Sequence, residues 1–109
     1  MLHTAAVART RNLFPLDADM ASSLHAVVHG DVQGVGFRYY VQRRAEEMGL
    51  AGWVRNRPDG SLEVVAEGSR PALGRLLELL SKGPGLADVD RVDAEWGEAT
   101  GLKGFAVRT

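Results

Sequence analysis

The chain has 109 residues, of which 45% are hydrophobic and 25% charged, with a formal net charge of −1. That length suits one compact domain around a single core and is too short for two. The near-neutral balance argues against a general nucleic-acid binder, the lack of cysteine excludes disulfides, thiolate metal sites and a cysteine nucleophile, and no apolar run approaches the roughly 20 residues that cross a bilayer.

Residues 1–22 carry no hydrophobic period and are read as a poorly ordered extension ahead of a domain at 23–109, with Met20 a candidate natural start. Despite Arg9 and Arg11 they lack the apolar core of a secretion signal. The alternative is a segment that docks Leu13, Phe14 and Leu16 on the domain. From Leu24, alternation of Leu24, Ala26 and Val28 with His25, Val27 and His29 predicts a strand ending at Gly30. A glycine-rich loop over 30–36 leads into a helix in which Phe37, Tyr40, Val41, Ala45 and Met48 recur at helical spacing, stopped by Gly49. A second strand covers about 52–56, and the turn Arg57-Pro58-Asp59-Gly60 returns the chain as a third strand with Leu62, Val64 and Ala66 on one face. Ser69 and Pro71 open a second helix whose stripe is Leu73, Leu76, Leu77 and Leu80, and Gly83-Pro84-Gly85 ends it. A fourth strand sets Val92, Ala94 and Trp96 on one face, and a short last strand carries Phe105 and Val107.

The order β-α-β-β-α-β plus a short final strand is the ferredoxin-like plan of the α+β class: an antiparallel sheet with two helices on one face. That plan hosts many functions. A right-handed crossover makes the first two strands parallel, and the third fits between them. Gly30 and Asn56 are then expected at one edge of the sheet, roughly 10 Å apart.

The loop joins a strand to a helix N-terminus, where free N–H groups and the positive end of the helix dipole favour an anion, phosphate above all. Arg38, in the first turn, leans back over the loop with a planar fork of donors that suits a phosphoryl group. The spacing alone fits equally a tight connection with an ordinary surface Arg38. The loop is neither a Walker A sequence, for it lacks Gly-Lys-Ser/Thr, nor a dinucleotide fingerprint, for Tyr39 stands where a third glycine is needed.

The stretch Gly30-Asp31-Val32-Gln33-Gly34-Val35-Gly36-Phe37-Arg38 resembles the phosphate-loop motif of acylphosphatases. Gly52-Trp53-Val54-Arg55-Asn56, followed by Asp59-Gly60, resembles their second motif. The similarity continues through Glu67-Gly68, Gly83-Pro84, Ala87-Asp88-Val89 and Gly104-Phe105-Ala106-Val107-Arg108, and so spans about residues 23–108. It implies an enzyme that needs no cofactor or metal and hydrolyses the carboxyl–phosphate bond of a small acyl phosphate. It also implies Arg38 as the phosphate-binding arginine and Asn56 as the residue that orients the attacking water. The backbone amides of Gln33, Gly34, Val35, Gly36, Phe37 and Arg38 become the phosphate cradle. Inorganic phosphate is the expected product and inhibitor, with no nucleic-acid or membrane partner, a monomeric state and a cytoplasmic location. Asp31 is awkward beside a phosphate site and is expected to face solvent.

The remaining polar residues read as surface or packing groups. His25 and His29 are four apart on a strand, roughly 13 Å, too far to chelate one metal. Arg55 and Arg57 are expected on the face opposite Asn56, and Tyr39 either flanks the site or faces water. Trp53 and Trp96 are read as covering the core's edges, and Asp88, Asp90, Asp93 and Glu95 as exposed acids. Two other classes fit the same plan: a binding module of the kind found within larger proteins that handle carbamoyl phosphate, and a single-stranded RNA binder. Glu63 and Glu67 on the third strand argue against the second.

Overall fold

The computed structural model describes residues 6–7 and 21–109. Its elements are β1 (Ala6–Val7), β2 (Ala21–Asp31), α1 (Phe37–Glu47), β3 (Ala51–Asn56), β4 (Leu62–Ser69), α2 (Arg70–Lys82), β5 (Asp88–Glu98) and β6 (Phe105–Arg108). The strands form one sheet in the order β1-β5-β2-β4-β3-β6. As the crossover rule requires, β4 lies between β2 and β3.

The sheet departs from the expected antiparallel plan at its edges. β5, β2, β4 and β3 pair antiparallel, whereas β6 joins β3 and β1 joins β5 in parallel. β6 is parallel because the chain leaves β5 and crosses the end of the sheet before running up beside β3. β1 lies within the stretch that shows no period, since two residues have none to show. The suggested docking of Leu13, Phe14 and Leu16, and the alternative start at Met20, lie outside the described residues.

Strand alternation decides which side chains enter the core. Leu24, Ala26, Val28, Val54, Leu62, Val64, Ala66, Val92 and Ala94 are almost fully buried. They form one cluster with Phe37, Val41 and Ala45 of α1 and with Leu73, Leu76 and Leu80 of α2, so both helices cover the same face. Burying each such leucine contributes about 1.5–3 kcal/mol. Helix α2 starts where Ser69 Oγ accepts the Ala72 N–H at 3.3 Å, with Pro71 in its first turn. Leu77 is only partly buried at the stripe's margin.

The period of β5 breaks because the strand is bulged. His29 pairs with Arg91 but Gly30 pairs with Val89, which leaves Asp90 unpaired and re-aims the end of β2. Trp53 departs from expectation too: it lies on the sheet face away from the helices, with Arg108 4.5 Å and Arg55 5.8 Å above its ring. Trp96, by contrast, joins the core at 7% exposure.

The crossing from β5 to β6 is held by Glu67. Its buried carboxylate accepts the N–H groups of Thr100, Gly101 and Leu102 and the Thr100 hydroxyl, all between 2.8 and 3.0 Å. Burial alone pushes the Glu67 carboxyl up, but these donors outweigh it and hold the group below its ordinary value of 4.5. A depressed carboxyl stabilises the fold above its unfolded value, and that contribution disappears as pH falls through the folded one. Thermal melts should therefore show Glu67→Gln less stable by about 1.5–3 kcal/mol at pH 7. The gap from the native chain should close as pH drops below 4.5; a gap independent of pH would contradict this assignment.

Candidate active site

Because β2 and β3 run parallel, Gly30 and Asn56 finish at the same end of the sheet. The chain leaves β2 through residues 32–36 and enters α1 there. Gly36 caps α1 at φ 76° and ψ 15°, and no side chain caps the helix. Gly34 also has φ 76°. A Cβ at either glycine would meet nothing within 4 Å, so the left-handed backbone and not crowding requires glycine. The Tyr40 N–H closes the first helical turn on the Gly36 carbonyl at 3.0 Å. Amides of residues 33–39 have no acceptor among the described residues. Uncapped donors at a helix N-terminus make a site for a tetrahedral oxyanion.

A pocket of about 80 Å³ lies here, lined by Val32, Gly34, Gly36, Phe37, Arg38, Tyr39 and Asn56. The fold thus unites Gly34, Gly36, Phe37 and Arg38 from the loop and helix with Asn56 from the end of β3. Gln33 and Val35, expected in the cradle, are not among the residues that line the pocket: the Gln33 side chain is bonded elsewhere and Val35 packs against the core. Asp31, the last residue of β2, is exposed.

The Gln33 side chain has another task. Its Nε2 donates to the Arg57 carbonyl at 2.7 Å and to the Ser61 carbonyl at 3.0 Å. Those two carbonyls bound the hairpin turn that follows Asn56. The turn is closed by the Arg57 N–H on the Ser61 carbonyl at 2.8 Å. Asp59 tightens it further, accepting the Ser61 hydroxyl at 2.6 Å and the Ser61 N–H at 2.9 Å. Those bonds, hydroxyl first, draw the Asp59 carboxyl below its ordinary range. Gln33 therefore fastens the anion loop to the segment that presents Asn56.

Arg38 is aimed by the C-terminal strand. Its Nη1 donates to the Arg108 carbonyl at 3.0 Å. A neutral acceptor orients the guanidinium without cancelling its charge, and the other donors of the fork stay available. Asn56 Oδ1 is buried and accepts no hydrogen bond among the described residues. An unpartnered buried acceptor costs about 1–3 kcal/mol, and this one lies beside the pocket.

The other polar groups are engaged elsewhere. Glu63 Oε2 meets His25 Nε2 at 2.7 Å, and Glu63 Oε1 accepts Arg55 Nε at 2.7 Å. Burial raises the Glu63 carboxyl, and the His25 and Arg55 contacts reverse that to a net lowering. His29 lies 3.1 Å from Asp93 Oδ2. The two histidines thus have separate partners, and no group of three metal-ligating side chains forms among the described residues. Asp88, Asp90 and Glu95 are exposed, whereas Asp93 is half-buried. No described helix is long and apolar enough to cross a membrane. A larger groove of about 230 Å³ between the helices mixes Arg44, Arg75 and Lys82 with Glu47 and Glu78. Arg44 there is already bonded to Glu47 at 3.1 Å.

The tie made by Gln33, the carbonyl under Arg38 and the open acceptor on Asn56 are not visible in the sequence. The first two join residues 24 or more apart through main-chain carbonyls, which no residue type announces.

Known proteins share this sequence and fold. The Acylphosphatase family model matches residues 24–107. The acylphosphatase of Thermus thermophilus is 54% identical over 84 residues, covering 77% of this chain and 96% of that protein. The crystal structure of acylphosphatase from Bacillus subtilis superposes with a TM-score of 0.78 at 37% identity, covering 81% of this chain and 99% of that one. Full-length HypF in a phosphate- and nucleotide-bound form matches with a TM-score of 0.77 at 25% identity, over 83% of this chain but only 12% of HypF.

Removing the Gln33 carboxamide should loosen loop and turn together. Gln33→Ala is expected to cost about 1–2 kcal/mol of stability and to weaken inorganic phosphate binding several-fold, read by calorimetric titration. Unchanged phosphate affinity would show that the tie does not hold the cradle in shape.

Proposed function

The chain belongs to the acylphosphatase family of enzymes, and from that premise we propose that it hydrolyses small acyl phosphates to a carboxylate and inorganic phosphate with Arg38, the loop amides and Asn56 as its working groups. The observation that carries this reading is the open Asn56 acceptor, in the same pocket as the arginine and the uncapped helix start. One group can hold a water while the others hold phosphoryl oxygens.

The chemistry asks for little more. An acyl phosphate loses a carboxylate, a weak base that departs without protonation, so the reaction needs neither a general acid nor a metal. Phosphoryl transfer depends chiefly on placement and charge stabilisation. Arg38 and the amides of residues 33–38 grip the phosphoryl oxygens, most strongly as charge redistributes in the transition state. Asn56 Oδ1 accepts a hydrogen bond from water and sets its oxygen in line with phosphorus. As the new P–O bond forms, the bond from phosphorus to the acyl oxygen breaks, and the carboxylate takes the electron pair. An amide is too weak a base to keep a proton, so the surplus proton of the water passes to a phosphoryl oxygen. Inorganic phosphate, retaining the three gripped oxygens, is then both product and competitive inhibitor.

Asn56→Ala should abolish turnover of acyl phosphate while inorganic phosphate still binds with near-native affinity. A near-normal rate would remove Asn56 from the mechanism. Arg38→Ala should weaken phosphate inhibition and lower the rate by at least about 10²-fold; unchanged inhibition would contradict the site. Binding of phosphate by the native chain without turnover would favour a binding module instead.

A further inference from the structure

We propose that Tyr39 is the specificity-determining contact for the acyl part of the substrate, giving preference to acyl phosphates with a flat or bulky apolar acyl group. This rests on the acyl phosphate reading above and extends it from the phosphoryl end to the leaving group. The pocket brings together the loop and helix start, Arg38 and Asn56, which the acyl phosphate reading assigns to the phosphoryl group and its attacking water, so the acyl group is directed past them. In-line attack sends the leaving oxygen away from the water at Asn56.

Among the lining residues, one side chain offers apolar surface there. Val32 and Phe37 are each 1% exposed, the glycines have no side chain, and Arg38 and Asn56 are polar. Tyr39 is 61% exposed. Its position in the first turn of α1 tilts its side chain back toward the loop. The core does not use it: Tyr40 packs edge-on against Phe37 at 6.0 Å and joins the cluster, and Tyr39 does not. Nor does the Tyr39 hydroxyl hydrogen-bond among the described residues. A lone exposed aromatic is ordinary on a surface; one that lines the pocket assigned to the phosphoryl group has a contact to make. A ring contact of this kind is worth about 3- to 10-fold in binding.

The test compares benzoyl phosphate with acetyl phosphate in the native chain, Tyr39→Ala and Tyr39→Phe, with inorganic phosphate inhibition measured alongside. Tyr39→Ala should lower kcat/KM for benzoyl phosphate about 3- to 10-fold, mainly through KM. It should leave acetyl phosphate within about twofold and phosphate inhibition unchanged, while Tyr39→Phe keeps the native preference. Equal losses on both substrates, no loss on either, or loss of preference in Tyr39→Phe would overturn the assignment. If the native chain hydrolyses neither substrate, the acyl phosphate reading fails first and takes this contact with it.

Discussion

Two hydrogen bonds from a single carboxamide hold the site together. Gln33 reaches from the anion loop to the Arg57 and Ser61 carbonyls, which bound the turn after Asn56. The loop supplies uncapped amides and Arg38; the turn fixes where β3 delivers Asn56. Neither segment has regular secondary structure to hold it, and Gln33 joins them across the Arg57 and Ser61 carbonyls. The sheet sets the coarse distance, through β4 lying between β2 and β3. The Gln33 bonds set the fine one.

Charge is distributed to the same end. The chain is nearly neutral overall, and three of its carboxylates are committed to partners other than the pocket residues. Glu63 takes His25 and Arg55, Asp93 takes His29 and Arg91, and Glu67 takes main-chain donors at the opposite end of the sheet. Arg38 is oriented by a carbonyl and so keeps its full charge for an anion. Arg108, whose carbonyl does this, is itself stacked on Trp53. Arg55 serves Glu63 and Trp53. A net basic surface is unnecessary when one unneutralised guanidinium sits beside a helix N-terminus.

Much of this was legible in the residues. Alternation in 24–28 and 62–66 marks β2 and β4 correctly because each buries one face. Leu73, Leu76 and Leu80 mark α2 for the same reason. The glycine loop, Arg38 and Asn56 were placed at one sheet edge by handedness alone. The rest depended on contacts that carry no local signal. The extra residue Asp90 shifted the phase of β5 and hid its true length from Asp88 to Glu98. The parallel β6 edge depends on where the loop after β5 crosses, and that crossing is held by Glu67 and the amides of Thr100, Gly101 and Leu102. Trp53 reads from the sequence as covering the core's edge, but its neighbours Val54 and Gly52 take the inward positions.

The central claim is that cradle amides, Arg38 and the Asn56 carboxamide face a single anion. Titrating inorganic phosphate into the native chain, with backbone and side-chain amides followed by NMR, tests it most directly. The account predicts saturable shifts of the Gly34, Gly36, Phe37 and Arg38 amides and the Asn56 side-chain amide, all with one dissociation constant. Shifts confined to the groove of Arg44, Arg75 and Lys82, or a loop that responds while Asn56 does not, would contradict it.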